Sequence, residues 1–391
     1  MTSQKTKWFN RGFDSALSAV RILIVPIINF VAAYIVIHES GQAVWGQFVE
    51  ALIFMSLASM FLGFGIKDYV LREASLNGGK LGELVKSGLL VRALILIPCI
   101  AIGSLFFPLE YLGWFVCWLF AMLIYNGISP IVNFDRSYKP AILAEVVFGG
   151  FLFAYLLFEM PDIYGLIMAF SMAAVLRSLV LLVLFRKPLQ RGKAKFDWKL
   201  LLAGLPFLAM GFSGMIQSKT DLYLIAGLLG DEDLAVYQVT VNFFVYLQAV
   251  SGLALLPFVK NLIRLPEKAI LKASLRFGLF GLMILAVSLP VIQWVLNDLY
   301  FFGLGIEVMI VGGLLVLPSF IYTPIVYKLI GRKLENAVLY INTLGVVFNL
   351  VLSYFLIVKS GIIGGLIGSM IAQWVMFACY GITMIYGKDD R

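Results

Sequence analysis

Residues 201–257 read LLAGLPFLAMGFSGMIQSKTDLYLIAGLLGDEDLAVYQVTVNFFVYLQAVSGLALLP. A long apolar run carries Gln217, Ser218, Lys219, Thr220 and Asp221 in its interior, although charge is expensive in hydrocarbon. A tight acidic turn, Gly230 to Asp233, leads at once into a second long apolar run. The same grammar occurs earlier in the chain. Gly41, Gly46, Phe48 and Gly63 recur at a constant offset of 189 positions as Gly230, Ala235, Tyr237 and Gly252. The chain therefore reads as two copies of one membrane unit, and this stretch opens the second copy.

Working outward, the composition agrees. Of 391 residues, 61% are hydrophobic and 13% charged, against roughly half apolar and a quarter charged in soluble domains. A span needs about 20 mostly apolar residues. Such segments fall near 15–37, 43–66, 86–107, 111–133, 140–159, 163–185, 200–229, 234–258, 272–297, 303–327, 336–358 and 361–386. They are continuous runs, whereas barrel strands would alternate, so the expected fold class is an all-α polytopic membrane protein with about twelve transmembrane helices in two pseudo-symmetric six-helix lobes. The expected parts are 1–190, a basic cytoplasmic linker at 191–199, and 200–391. Six spans per copy is an even number, so both copies enter from one side and are related by an axis along the membrane normal. Pro26, Pro98, Pro206, Pro290 and Pro318 are kink candidates. Cys99, Cys117 and Cys379 are too scattered for a disulfide frame or a zinc site and read as small core residues.

The net charge of +8 is a topology signal. All but four of the 30 basic residues lie in the N-terminal tail, the even-numbered connections and their flanks, or the C-terminus. The four exceptions are Arg21, Arg177, Lys219 and Lys359. Excess Lys and Arg marks the cytoplasmic side, which places both termini in the cytoplasm and argues against nucleic acid as a partner. The retained N-terminal helix lacks a signal-peptide cleavage pattern. The odd connections are a few residues each, so no outer catalytic domain is expected.

No soluble-enzyme motif is present. His38 is a lone histidine in a short outer connection, and there is no phosphate-binding loop, nucleophile elbow or metal cluster. What remains is charge within the spans. Arg177 is deepest, about 21 Å along its helix from Ile163 at 1.5 Å per residue; it faces either a cavity or an ion-pair partner. Arg21 lies about 10 Å inside the first span by the same rise, within reach of the cytoplasmic face by snorkelling. Asp221 shares a helical face with Gln217, and Lys219 points elsewhere. Glu50 and Glu145, in the outer and inner thirds of their spans, are candidates for ion pairing or for coupling to an ion.

The chain resembles the O-antigen flippase, or polysaccharide transport, family of the multidrug/oligosaccharidyl-lipid/polysaccharide exporter superfamily. The resemblance rests on Gly46-Gln47-Phe48, Gly63, Gly65 and Arg72-Glu73-Ala74-Ser75 in the first copy. In the second it rests on Asp221, Ile225, Gly230, Ala235-Val236-Tyr237, Pro257 and the closing Gly361-Ile362-Ile363-Gly364-Gly365. Trp45 and Ala235 depart from the usual residues, which bears on the substrate subclass. The resemblance implies two lobes around a cationic central cavity. It also implies flipping of undecaprenyl-diphosphate-linked oligosaccharide from the cytoplasmic to the periplasmic leaflet of the bacterial inner membrane. In the related lipid II flippases basic residues of the first helix bind the diphosphate, and Arg21 is the matching position. The expected substrate ligands are thus Arg177, Arg21, Lys219, Asp221 and Gln217. No cofactor is expected beyond a coupling proton or sodium ion. Membrane lipid and polysaccharide polymerases are the expected partners. Two rivals are weighed against this reading. A cation-coupled multidrug exporter of the same fold wants an acid-rich cavity. A membrane polymerase or ligase wants a large outer loop.

Overall fold

The computed structural model describes residues 2–76, 80–159, 161–190, 193–255 and 258–387, with backbone alone at 2–16, 18–19, 22, 76, 210, 217–218 and 260. The described residues fold into helices: α1 (Thr2–Glu39), α2 (Gln42–Gly63), α3 (Ile66–Leu76), α4 (Leu81–Phe106), α5 (Leu109–Phe134), α6 (Tyr138–Phe158), α7 (Ile163–Leu184), α8 (Arg186–Gln190), α9 (Lys199–Leu228), α10 (Asp231–Leu255), α11 (Val259–Arg264), α12 (Glu267–Trp294), a π-helical turn Val295–Leu299, α13 (Ile306–Gly331) and α14 (Glu335–Tyr386). Ten of these segments among the described residues are long and apolar enough to cross a bilayer, and Leu23–Glu39 of α1 adds a shorter apolar helix. A helix satisfies its own backbone groups, which hydrocarbon cannot do. The all-helical membrane fold class expected from the sequence is the one observed. Two compact units are present, residues 1–212 and 213–391, and the boundary between them falls inside α9.

The longest element needs a break. α14 has 52 residues, about 78 Å if straight, more than twice the roughly 30 Å of a hydrocarbon core. Gly361 supplies the break, with φ 60° and ψ −140°. Beyond it the chain runs back antiparallel to itself. A Cβ at Gly364 would overlap the Leu356 carbonyl, and one at Gly368 would sit 2.7 Å from Ser353 N. Further along, the Ser369 hydroxyl lies 3.1 Å from Asn349 Oδ1, and Tyr380 donates to Asn342 Oδ1 at 2.6 Å. The hairpin thus joins the two spans read from the sequence at 336–358 and 361–386. Gly368→Ala should destabilise the second unit by about 1–3 kcal/mol, because backbone cannot retreat from the new methyl. Gly381→Ala, with open space around its Cβ position, should be neutral or mildly stabilising. Thermal melts of the two purified variants check the pair.

A second close approach lies in the first unit. Just past the end of α2, Phe64 and Gly65 have φ 45° and 65°. A Cβ on Gly65 would overlap the Gly204 carbonyl and lie 2.6 Å from Leu208 N. The α2–α3 bend and the first half of α9 therefore touch backbone to backbone. This explains why glycines stand at both positions.

Cys117 departs from the sequence reading. Cys99 is buried and Cys379 half-buried, but Cys117 is exposed on α5. The outer surface of a membrane protein is itself apolar, so an apolar neighbourhood in sequence does not imply burial.

Candidate functional site

The first unit brings two of the charged candidates together. Arg177 stands on α7 at 6% exposure and Glu145 on α6 at 1%. Arg177 Nη1 donates to Glu145 Oε2 at 3.0 Å. The Tyr125 hydroxyl, from α5, donates to Glu145 Oε1 at 3.0 Å. The guanidinium lies 4.1 Å from the Tyr125 ring centroid and 4.8 Å from that of Phe148, and Nη2 reaches Met122 Sδ at 3.5 Å. A buried charge is tolerated only with partners of this kind. The cluster ties α5, α6 and α7 together through one ion pair. Of the two sequence readings of Arg177, cavity-facing or ion-paired, this geometry is the ion pair.

Arg21 on α1 is separate. It is half-buried, and Nη1 donates to Asn133 Oδ1 at 2.9 Å at the end of α5. Lys67, also half-buried, feels the attraction of neighbouring Asp68 and, more weakly, the repulsion of Arg21. Arg92 on α4 was legible only as a basic flank of its connection. Because α4 begins at Leu81, Arg92 lies about 16 Å along the helix, and it is fully buried. Its Nε donates to the Gly88 carbonyl at 3.1 Å, while Nη1 and Nη2 have no partner. Glu145 neutralises Arg177; Arg21, Lys67 and Arg92 form no ion pair among the described residues. The interior of this unit carries an excess of positive charge.

The second unit holds Asp221, at 3% exposure on α9. Its carboxylate is met by donors only. The Tyr237 hydroxyl from α10 makes a short hydrogen bond to Oδ2, Ser369 from the returning arm of α14 donates to Oδ2 at 2.8 Å, and Leu222 N–H donates to Oδ1 at 2.9 Å. Asn349 Oδ1, from the outgoing arm, accepts from Ser353 at 2.7 Å and lies 3.1 Å from Ser369 Oγ. Ser369 has one hydroxyl proton for two acceptors, so its hydrogen bond can go to Asp221 or to Asn349. Beside the network is a cavity of about 30 Å³ lined by Asp221, Asn349, Ser369, Gln248 and Gln373, large enough for a water or a small ion.

The remaining candidates are dispersed. Lys219 is half-buried two residues from Asp221 and feels its charge. The Gln217 side chain lies outside the described residues. Glu50 is exposed on α2 and takes no part in the Arg177 cluster. Apart from Tyr237, the network around Asp221 escaped sequence reading because Asn349, Ser353 and Ser369 are small, uncharged residues far along the chain.

This fold is that of transporters and flippases of the membrane. Among solved structures, a lipid II flippase, MurJ, in an inward closed conformation matches with a TM-score of 0.65 at 14% identity, covering 93% of this chain and 87% of that one. An inward-facing multidrug resistance MATE family transporter of the MOP superfamily matches with a TM-score of 0.61 at 16% identity, covering 94% of this chain and 97% of that one. The eukaryotic MATE transporter AtDTX14 matches with a TM-score of 0.56 at 15% identity, covering 96% and 93%. No curated protein matches by sequence. A family model described as "Polysaccharide biosynthesis protein" matches residues 14–259, and the chain belongs to that family.

Proposed function

We propose that the chain is a flippase. It moves an undecaprenyl-diphosphate-linked oligosaccharide, an O-antigen or capsule repeat unit, from the cytoplasmic to the periplasmic leaflet of the bacterial inner membrane by alternating access, with both termini in the cytoplasm. The observation that carries this reading is the cationic interior of the first unit, where Arg21 and Arg92 make no ion pair among the described residues. A lipid diphosphate brings negative charge into hydrocarbon, and fixed guanidinium groups replace its lost hydration, bidentately in the best case. An exporter of organic cations wants the opposite sign. Membership of a polysaccharide biosynthesis family and likeness in fold to a lipid II flippase point the same way.

Arg21 is the residue we assign to the diphosphate. It is half-buried, and its hydrogen bond to Asn133 is with a neutral group, so no ion pair has to be broken for it to turn toward an anion. Asp221 is the residue we assign to coupling, through a proton or a sodium ion.

The test is complementation of a strain whose own flippase is deleted. The wild-type chain should restore surface polysaccharide and clear lipid-linked saccharide from the inner leaflet. Arg21→Ala should lower restoration roughly tenfold or more, the scale of one lost charge-assisted contact in a water-poor site, and Arg21→Lys should retain part of it. Ethidium efflux conferred by the wild type without restored polysaccharide would replace this reading with the drug-exporter one.

A further inference from the structure

The first unit has a second feature of a different sign. A cleft of about 190 Å³ opens between α2, the α4–α5 connection and the start of α7, lined among others by Gln47, Glu50, Phe54, Phe106, Tyr111 and Ile163. Its place follows from the elements that build it. Phe106 closes α4, Tyr111 lies in the first turn of α5, and Ile163 is the first residue of α7. Gln47 and Glu50 lie about 8 and 12 Å from the start of α2. These ends all meet the short odd-numbered connections, the periplasmic side by charge distribution.

Three observations define what the cleft takes. One wall is aromatic. Phe54 lies 4.8 Å from Phe106 and 5.3 Å from Phe107, ring centroid to centroid, and Phe106 is 67% exposed, so an aromatic face is open to an occupant. The other groups are a carboxylate, an amide and a phenol, at Glu50, Gln47 and Tyr111, and none has a hydrogen-bond partner among the described residues. An exposed Glu50 more than two turns inside a membrane helix requires water or a polar occupant, so this cleft is wet. Finally, the volume is below the roughly 300–1,000 Å³ of pockets for drug-sized molecules.

We propose that this cleft is a saccharide subsite on the outer side of the first unit, taking a single sugar ring of the substrate. A pyranose has one face of C–H groups, which packs on Phe54 and Phe106. Its rim of hydroxyls donates to the Glu50 carboxylate and both donates to and accepts from the Gln47 amide and Tyr111 phenol. The sign of Glu50 matters as much as its hydrogen bonds. A carboxylate repels a diphosphate, so the cleft excludes the charged end of the lipid and accepts the neutral end. Binding divides accordingly: cations deep in the unit hold phosphate, and an acid-and-aromatic cleft at the outer end holds sugar. This rests on the flippase reading and adds to it a determinant of which repeat unit is carried.

The experiment uses the full chain in cells, with Cys99, Cys117 and Cys379 replaced by alanine and one reporter cysteine, Gln47→Cys or Leu109→Cys. A membrane-impermeant maleimide labels intact cells of two strains, one making the lipid-linked saccharide and one lacking the transferase that starts it. Labelling of the Gln47→Cys protein should slow severalfold where the saccharide is made. Labelling of the Leu109→Cys protein, at a position 88% exposed on the outer connection, should be equal in both strains. In parallel, Glu50→Gln and Tyr111→Phe at matched membrane levels should lower polysaccharide yield severalfold. Equal labelling at Gln47→Cys together with full yield from Glu50→Gln overturns the subsite. Protection of Gln47→Cys by tetraphenylphosphonium in the strain without saccharide overturns it too, by making the cleft a cation site. Failure of the wild-type chain to restore polysaccharide would instead strike the flippase reading itself.

Discussion

Glu145→Gln should largely remove the protein from the membrane, and Glu145→Leu combined with Arg177→Met should return it. The single substitution leaves the Arg177 guanidinium in place at 6% exposure with its anionic partner gone. The rings of Tyr125 and Phe148 still flank it, but cation–π contacts of about 0.5–2 kcal/mol do not replace a carboxylate. Removing one partner of a buried ion pair costs about 3–5 kcal/mol, a large share of the 5–15 kcal/mol by which domains are stable. Replacing both partners by apolar residues of similar volume avoids that penalty and is often neutral or stabilising. Arg177→Lys should fall between, keeping the charge but losing the planar group that stacks between the two rings.

The measurements are membrane abundance and thermal stability of the purified protein, beside polysaccharide yield per molecule. We expect the double variant to transport, because the pair is closed upon itself and holds α5, α6 and α7. A double variant that is abundant and stable yet inactive would return Arg177 to the substrate site. Normal abundance of Glu145→Gln would show that the ion pair is not what holds these helices.

How legible these residues were in the sequence depends on the kind of signal each gives. The spans were legible because a bilayer demands continuous apolar length, and the break between the last two showed as the polar pair at 359–360, next to the turn at Gly361. Charge inside a span was equally legible, since Arg177, Glu145 and Asp221 stand out against leucine and valine. Pairing was not. Glu145 and Arg177 are 32 positions apart, and nothing in either helix alone aligns them; packing of α5 and α6 against α7 does. Arg92 was hidden for another reason. Its connection is rich in Lys and Arg, so the residue passed for one more cytoplasmic charge, while α4 starts five residues before the apolar run and carries Arg92 inward. The Asp221 network was least legible, because apart from Tyr237 its other members are small neutral side chains that any apolar helix contains. Ser369 is 148 positions from Asp221, and the hairpin that brings it back is a property of the fold.

That network gives the second large expected effect. Asp221→Asn should abolish transport while leaving the protein folded and abundant. The substitution is isosteric. An asparagine oxygen can still accept from Leu222 N–H, and Ser369 can accept from the new amide while donating to Asn349 Oδ1, so the cost is confined to the Tyr237 hydroxyl, whose proton loses its acceptor, and is about 1–3 kcal/mol. What is lost is the single negative charge, and with it any means of holding a proton or a sodium ion at this position. With the carboxylate bare, Tyr237 and Ser369 both donate to Oδ2; once a cation arrives, the Ser369 proton is free to turn to Asn349 Oδ1, 3.1 Å away. Such a turn shifts a hydrogen bond between α9 and the outgoing arm of α14, a local change by which an ion can bias one conformation over another. Tyr237→Phe removes one donor and leaves Ser369, so transport should fall without being abolished. The checking measurement is polysaccharide export in spheroplasts at matched protein level, with sodium exchanged for potassium at fixed pH and, separately, pH varied at fixed sodium. Wild-type export should follow one of the two variables and the Asp221→Asn protein neither. Wild-type rates from Asp221→Asn, with the ion dependence unchanged, would leave the network a purely structural knot between α9, α10 and α14.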